Sequence, residues 1–161
     1  MSKAQTVSTT ASDPTVAAAA AQFLSPVVLG LQALTVNGKQ AHWHVRGANF
    51  VGVHELLDTV VAHAGDFADT AAERIVALGL PIDARVSAVA AKVPSTEVPA
   101  GFTQSHELIL DVVADIDAIL VDVKAAIDGL DEIDLTSQDV AIEIMRGLEK
   151  DRWFLIAHVA A

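Results

Sequence analysis

The stretch NFVGVHELLDTVVAHAGDFADTAAERIVALG, residues 49–79, decides the fold class of this 161-residue chain. Its apolar residues recur at intervals of three and four, which is the spacing of one face of an α-helix. Gly79 and Pro81 follow the periodic part, and both residue types are typical of a helix end. The stretch therefore predicts one long helix over residues 50–78.

A second helical signal precedes this stretch. The segment VAAAAAQFLSPVVLGLQAL, residues 16–34, is apolar enough to resemble a membrane or export segment. Polar residues interrupt it and favour a buried core helix, with an export signal as the alternative. Within it, Ser25 and Pro26 are typical of an N-cap and a first helical position. The first helix is therefore predicted to start or kink there and to end near Val45.

Two more long helices are predicted after a connector, residues 80–101, that contains three prolines. The connector includes the stretch ARVSAVAAK, which predicts a short helix capped by Asp83. The long helices are expected over residues 103–129 and from residue 136 nearly to the end of the chain. Four long helices, a crossover and no strand pattern indicate an all-α four-helix bundle, with a short extra helix in the crossover between the second and third helices.

The first 13 residues, MSKAQTVSTTASD, are small and polar and lack periodicity. They are predicted to form a flexible tail, which leaves residues 14–161 as one domain. Cysteine is absent, so a disulfide framework and thiolate metal sites are excluded. The formal net charge of −11 argues against binding to a phosphate backbone, and it suits either attraction of cations or simple solubility.

Four side chains of metal-binding type share one face of the second helix. Each helical residue turns by about 100°, so with His54 at 0° the residues Asp58, Asp69 and Glu73 fall near 40°, 60° and 100°. The rise of about 1.5 Å per residue separates the first two from the last two by roughly 22 Å, whereas metal–ligand bonds span about 2 Å. One chain alone therefore does not bring all four to one metal ion.

A two-fold dimer of antiparallel helices removes this separation. Such a dimer juxtaposes residues whose numbers have a constant sum. His54 with Glu73, and Asp58 with Asp69, both sum to 127. The pairing predicts two equivalent metal sites in each dimer.

The crossing point of the two helices calls for small residues. Ala62 and Gly65 lie on the same face, and their numbers also sum to 127. A glycine inside a helix costs about 1 kcal/mol relative to alanine, so its presence there indicates a close approach of two backbones. The matched pairs favour the dimer sites over the alternative, which is a set of ordinary solvated side chains on an exposed helix.

Imidazole and carboxylate ligands without sulfur suit iron, with zinc or manganese as competitors. His42 belongs to the stretch HWHVRGANF, residues 42–50, near the end of the first helix. It lies close to the start of the second helix and is expected to complete the ligand set. His44 points about 200° away from His42 on a helix, and it is left without an assigned role.

The stretches KQAHWHVRGANFVGVHELLD, residues 39–58, and DTAAERIVALG, residues 69–79, resemble the Dps-type mini-ferritins. These are the DNA-binding proteins from starved cells within the ferritin-like superfamily. Length and helix layout extend the resemblance over nearly everything after the tail. It implies ferroxidase centres at the two-fold interface between subunits. The implied ligands are His42, His54 and Asp58 from one subunit with Asp69 and Glu73 from its partner.

The resemblance also implies an activity and an assembly. Members of the family form a hollow shell of twelve subunits, oxidise Fe(II) preferentially with hydrogen peroxide, and store ferric mineral inside. The expected partners are therefore Fe(II), hydrogen peroxide and further copies of the chain, and no membrane. The expected location is the cytoplasm.

Further residues acquire expected roles from the resemblance. Trp43 and Trp153 match family positions near the centre, where they are expected to supply an electron when only one iron is bound, or simply to pack. Asp111, Asp115 and Asp122 on the third long helix are expected to line an acidic pore where iron enters at a three-fold axis. The alternative for these three is an exposed acidic face.

Two features depart from the family. His44 replaces the asparagine that usually follows the tryptophan, and it is interpreted as an added metal-binding or proton-handling group or as a surface histidine. The tail holds only Lys3, where DNA-binding members commonly have tails rich in Lys and Arg, so weak or absent DNA binding is expected. Two alternative functions stay open: metal-dependent hydrolysis of amides such as N-acyl amino acids, with His44 as general base, and DNA compaction by a structural protein.

Overall fold

The computed structural model describes residues 13–93 and 95–160, which form five helices and two short strands. The elements are α1 Pro14–His44, β1 Val45–Arg46, α2 Phe50–Ala77, α3 Val86–Lys92, β2 Thr103–Gln104, α4 Ser105–Leu130 and α5 Leu135–Ala157. The predicted all-α bundle with a short helix in its crossover is confirmed. The predicted tail, apart from Asp13, lies outside the described residues.

Of the two alternatives at Ser25 and Pro26, the start is wrong, because α1 begins at Pro14, and the kink stays a prediction. Asp13 is the N-cap, and its carboxylate accepts a hydrogen bond from the Thr15 N–H at 2.7 Å. Pro26 lies inside the helix. Asp13-Pro14 and Ser25-Pro26 are both typical of a helix start. The helical turns between them are buried against the bundle, and this burial favours the earlier start.

The four long helices form a square bundle. α1 packs against α2 and α4, and α5 completes the square by packing against α4 and α2, while α3 lies on α1. Short turns join α1 to α2 and α4 to α5, so these neighbours run antiparallel. Among the described residues, the largest fully buried side chains are all leucine or isoleucine, and both tryptophans are exposed. The core is therefore aliphatic, and most large aromatic side chains lie at its surface.

By length and composition alone, α1 is apolar enough to cross a membrane, and it is the one described helix of which this is true. This is weak evidence, because a core helix passes the same test. The stripe of Val28, Leu31 and Leu34 is buried in the bundle. Its burial supports the interpretation of α1 as a core helix.

The sequence predicted no strand, whereas β1 and β2 form a two-residue parallel pair that joins Val45 to Thr103 and Arg46 to Gln104. A pairing this short leaves no alternating pattern to detect. Gly47 follows it with φ +97°, and a Cβ atom there would lie 2.2 Å from Oε1 of Gln104. The pair fixes the corner between α1 and α2, where two of the predicted iron ligands lie.

Candidate metal centre

His42, near the end of α1, and His54, in the first turns of α2, face each other across this corner. Their rings stack with centroids 3.7 Å apart and planes inclined by 22°. The Nδ1–H of His42 donates to the backbone carbonyl of His54 at 2.8 Å, and the Nδ1–H of His54 donates to the carbonyl of His42 at 2.9 Å. Because a carbonyl only accepts, each Nδ1 carries a hydrogen, so the neutral form of each ring has its lone pair on Nε2. Such an oriented neutral imidazole is suited to ligate a metal.

Asp58 lies one turn after His54 on α2, and its Oδ1 is 4.0 Å from Nδ1 of His42. The Lys39 ammonium forms an ion pair with this carboxylate. The hydrogen bond from Lys39 is the main cause that lowers the pKa of Asp58. The protomer therefore holds one ionised carboxylate beside two imidazoles.

Asp69 and Glu73 are exposed in the second half of α2. They lie on the same face of the helix as His54 and Asp58, between 0° and 100°, and this face is called the α2 arc. The helix is continuous from Phe50 to Ala77, so the separation of roughly 22 Å from the histidine pair applies. Within the described part of one protomer, no three His, Asp or Glu side chains come together in a group that could hold a metal ion. His42 and His54 are in contact, and Asp58 lies near His42 without forming such a group with them. The other two predicted ligands lie apart from these three.

The rest of this arc is uncovered in a single protomer. Ala62 is exposed, and a Cβ atom added to Gly65 would meet no atom within 4 Å. Val51 and Val76 are 61% and 57% exposed, although both are large apolar side chains. They fall near 60° and 40° in the angular frame that puts His54 at zero. Small residues therefore lie between the two groups of candidate ligands, and one exposed valine lies beyond each group.

The predicted pore residues occupy one side of α4. Asp122 pairs with Lys92 at 2.9 Å, and Asp115 accepts hydrogen bonds from α1 and from the segment after α3. Both line a cavity within the protomer, between α1 and α4. Asp111 lies among other acidic groups, and burial with the charge of Glu97 raises its pKa. A pore role for the three aspartates stays a prediction.

The remaining predicted residues lie near the α1–α2 corner or on α5. Trp43 and Trp153 are exposed, and their expected redox role stays a prediction. The Nδ1–H of His44 donates to the carbonyl of Gln40 at 2.8 Å, and its ring centroid is 5.4 Å from that of Phe102. His44 therefore has a local structural partner at the end of α1.

Two polar contacts were not predicted from the sequence. His63 on α2 donates from Nδ1 to the carboxylate of Asp151 on α5, at 3.0 and 2.9 Å from its two oxygens. Asp151 is buried, which raises its pKa, and the hydrogen bond from His63 acts in the opposite direction. No local pattern links residues so distant in sequence. Lys39, in contrast, lies three residues before His42, and this helical spacing would have placed it beside the site.

Residues 30–161 match the family model of the ferritin-like domain. The chain is 35% identical over 122 residues to the DNA protection during starvation protein of Agrobacterium fabrum, covering 75% of each chain. It is 36% identical over 123 residues to a protein of the same name from Mycolicibacterium smegmatis, covering 75% of this chain and 66% of that one.

Among solved structures, the chain resembles Dps from Microbacterium arborescens in the high iron form. The two are 72% identical with a TM-score of 0.92, and the match covers 96% of this chain and 100% of that one. These matches confirm the family predicted from residues 39–58 and 69–79. The chain therefore belongs to the ferritin-like domain family and, within it, to the Dps-type mini-ferritins.

Proposed function

We propose that this mini-ferritin oxidises Fe(II), preferentially with hydrogen peroxide, at two-metal centres between two-fold-related subunits, and stores the ferric product in a shell of twelve. Its family membership supports iron storage and protection against starvation damage as the general function. The observation that carries the finer proposal is the reciprocal pairing of His42 and His54, which leaves both Nε2 lone pairs available beside Asp58.

The register of α2 supports the shared centre. Its first and last residues, Phe50 and Ala77, have numbers that sum to 127, so this antiparallel register overlaps two helices along their full length. The exposed pair Val51 and Val76 obeys the same sum. In this arrangement each exposed valine packs against its counterpart, and burial of such apolar surface stabilises the dimer. Asp69 and Glu73 of the partner then approach the histidine pair.

The two kinds of ligand have different tasks. The imidazoles bind iron through neutral nitrogen atoms, and the three carboxylates offset the charge that grows when Fe(II) becomes Fe(III). Two Fe(II) ions supply the two electrons that one peroxide needs, and the solvent supplies two protons, so both peroxide oxygens leave as water without a hydroxyl radical. Iron is thus a substrate here, and the similarity to the Microbacterium Dps, whose structure is of a high iron form, supports this assignment.

Subunit complementation tests whether the centre is shared. One variant, His54→Ala with Asp58→Ala, lacks the histidine half, and a second, Asp69→Ala with Glu73→Ala, lacks the carboxylate half. Each alone should lose rapid peroxide-driven Fe(II) oxidation. Dissociating and reassembling an equal mixture should restore about a quarter of the wild-type sites, because half of the random dimers are mixed and each mixed dimer has one intact site.

A third variant, Asp139→Ala with Glu143→Ala, is the matched control, since it removes two exposed acidic groups with the same i, i+4 spacing from α5, away from the α2 interface. It should oxidise Fe(II) at the wild-type rate. Absence of recovery in the reassembled mixture would contradict the shared centre, and wild-type oxidation by either double variant would contradict the ligand assignment. Weak DNA binding, a cytoplasmic location and the hydrolase alternative stay predictions.

A further inference from the structure

A cavity of about 240 Å³ lies between α1 and α4 and is closed on one side by the end of α3 and the residues after it. Its floor consists of small or aliphatic side chains, including Ala33, Ala118 and Ile119. Gly30 belongs to the same floor, and a Cβ atom there would lie 3.0 Å from Cγ1 of Ile119. The cavity therefore exists because small residues face each other where the two helices pack.

Three charged side chains surround this apolar floor. Asp115 and Asp122 come from α4, and Lys92 comes from the end of α3. The Lys92 Nζ lies 2.9 Å from Oδ2 of Asp122, so these two charges offset each other. The lining therefore keeps one uncompensated negative charge, on Asp115.

Asp115 is partly buried without a cationic partner among the described residues. Its Oδ2 accepts hydrogen bonds from the Thr96 hydroxyl at 2.7 Å and from the Asn37 amide at 3.1 Å, and both donors are neutral. Its Oδ1 accepts no hydrogen bond within the described part of the chain. Burial raises the pKa of Asp115, and the nearby charge of Glu97 adds to this effect. A cation beside Oδ1 would stabilise the ionised carboxylate.

The size and the lining together define the ligand. A dry apolar cavity of about 150 Å³ accommodates benzene, so the volume here suits a ring or short alkyl group with a few more atoms. The Lys92 ammonium already occupies the second carboxylate, Asp122, which disfavours a divalent metal ion, and the negative charge of Asp115 disfavours an anion. We propose that this cavity binds a small amphiphilic amine, whose apolar body packs on the floor and whose ammonium group donates to Asp115.

Titration calorimetry on the assembled full-length protein tests this proposal with three probes of similar size. These are 2-phenylethylamine, the neutral 2-phenylethanol and the anionic 3-phenylpropionate. The amine should bind saturably, one per chain, and the alcohol about tenfold more weakly, because it lacks the charge-assisted hydrogen bond. The carboxylate should not bind. Asp115→Asn should weaken the amine about tenfold and leave the alcohol unchanged.

Two further variants make the result specific to the cavity. Ala118→Leu fills the space from an exposed position on α4 and should abolish binding of amine and alcohol alike. Asp117→Asn, on the same helix but paired with Arg152, is the matched control and should bind the amine as the wild type does. Circular dichroism and sizing confirm that each variant is folded and assembled.

Several outcomes would overturn the proposal: no saturable amine binding, equal binding of amine and alcohol, insensitivity to Asp115→Asn, or displacement of the amine by equimolar Mg²⁺. The last would identify the cavity as a divalent cation site. These experiments measure amine binding and not iron oxidation, and no residue of the proposed iron centre lines the cavity, although Asp115 and Asp122 are also predicted pore residues.

Discussion

The two halves of α2 both carry candidate iron ligands, but the chain holds them very differently. In the first half, His54 is tied to His42 by two hydrogen bonds and ring stacking. In the second half, Asp69 and Glu73 project from an exposed surface. Ligands fixed by packing and hydrogen bonds need little reorganisation to bind a metal, whereas free carboxylates depend on what approaches them. The first half is thus prepared by its own fold, and the second is prepared only by a partner.

The largest expected effect is on the rate of iron oxidation. A ligand substitution in either half should lower this rate, but only one in the first half should also lower stability. His42→Ala and Asp69→Ala should each slow peroxide-driven Fe(II) oxidation by at least about tenfold. Only His42→Ala should also lower the free energy of unfolding, by about 1–3 kcal/mol, because it removes a hydrogen bond and a stacked ring from a buried site. Stopped-flow absorbance and urea unfolding at one protein concentration measure the two quantities.

Asp69→Ala serves as the reference for that comparison. Asp69 is exposed in the protomer and forms no hydrogen bond or ion pair with the other described residues, so without iron its substitution should leave the free energy of unfolding within about 0.5 kcal/mol of the wild type. Equal destabilisation by both substitutions would show that the two halves are held alike. That result would remove the distinction between a prepared and an unprepared half.

The same contrast explains how much the sequence predicted. The angular position of each residue on a helix follows from the helical period. The sequence therefore predicted the end of α2 to within one residue and put the four candidate ligands on one face. Contacts between helices have no such period. The pairing of His63 with Asp151 depends on how α2 and α5 pack, and nothing local signals it. The start of α1 was missed for a related reason, because packing decided between two equivalent local signals.

Between the two halves, His63 anchors α2 to Asp151, and the burial of this carboxyl group should make stability depend on pH. Burial raises the pKa of Asp151 above its ordinary value of 3.8, so the folded protein retains a proton that the unfolded chain releases. This contribution to stability is complete below pH 3.8 and is lost as the pH rises through the raised pKa. Asp151→Asn cannot ionise and should not show that loss.

The measurement is the difference in free energy of unfolding between Asp151→Asn and the wild type. The difference should shift in favour of the variant as the pH rises from below 3.8 toward neutrality. The Asn side chain keeps an oxygen that accepts from His63, so the geometry of the anchor is retained. A difference that stays constant over this range would show that burial does not govern the ionisation of Asp151.

The smallest expected effect concerns Lys39, which pairs with Asp58 in the prepared half. Its ammonium occupies the carboxylate that iron requires, so Lys39→Gln should tighten binding of Co(II), an air-stable probe, to the assembled protein. The gain should stay below about fivefold, because the two side chains are 37% and 52% exposed and such pairs are weak. It should shrink as salt is added, since salt screens exposed charges.

Lys124→Gln is the matched control, because Lys124 forms a similarly exposed ion pair with Asp128 on α4. It removes the same charge from the protein, and it should leave Co(II) affinity unchanged. Weaker Co(II) binding by Lys39→Gln would mean that Lys39 orients Asp58 and does not compete with the metal. In that case the protomer would hold its carboxylate ligand in place as well as its two imidazoles. The contrast between the two halves of α2 would then be larger than the hydrogen bonds of the histidines indicate.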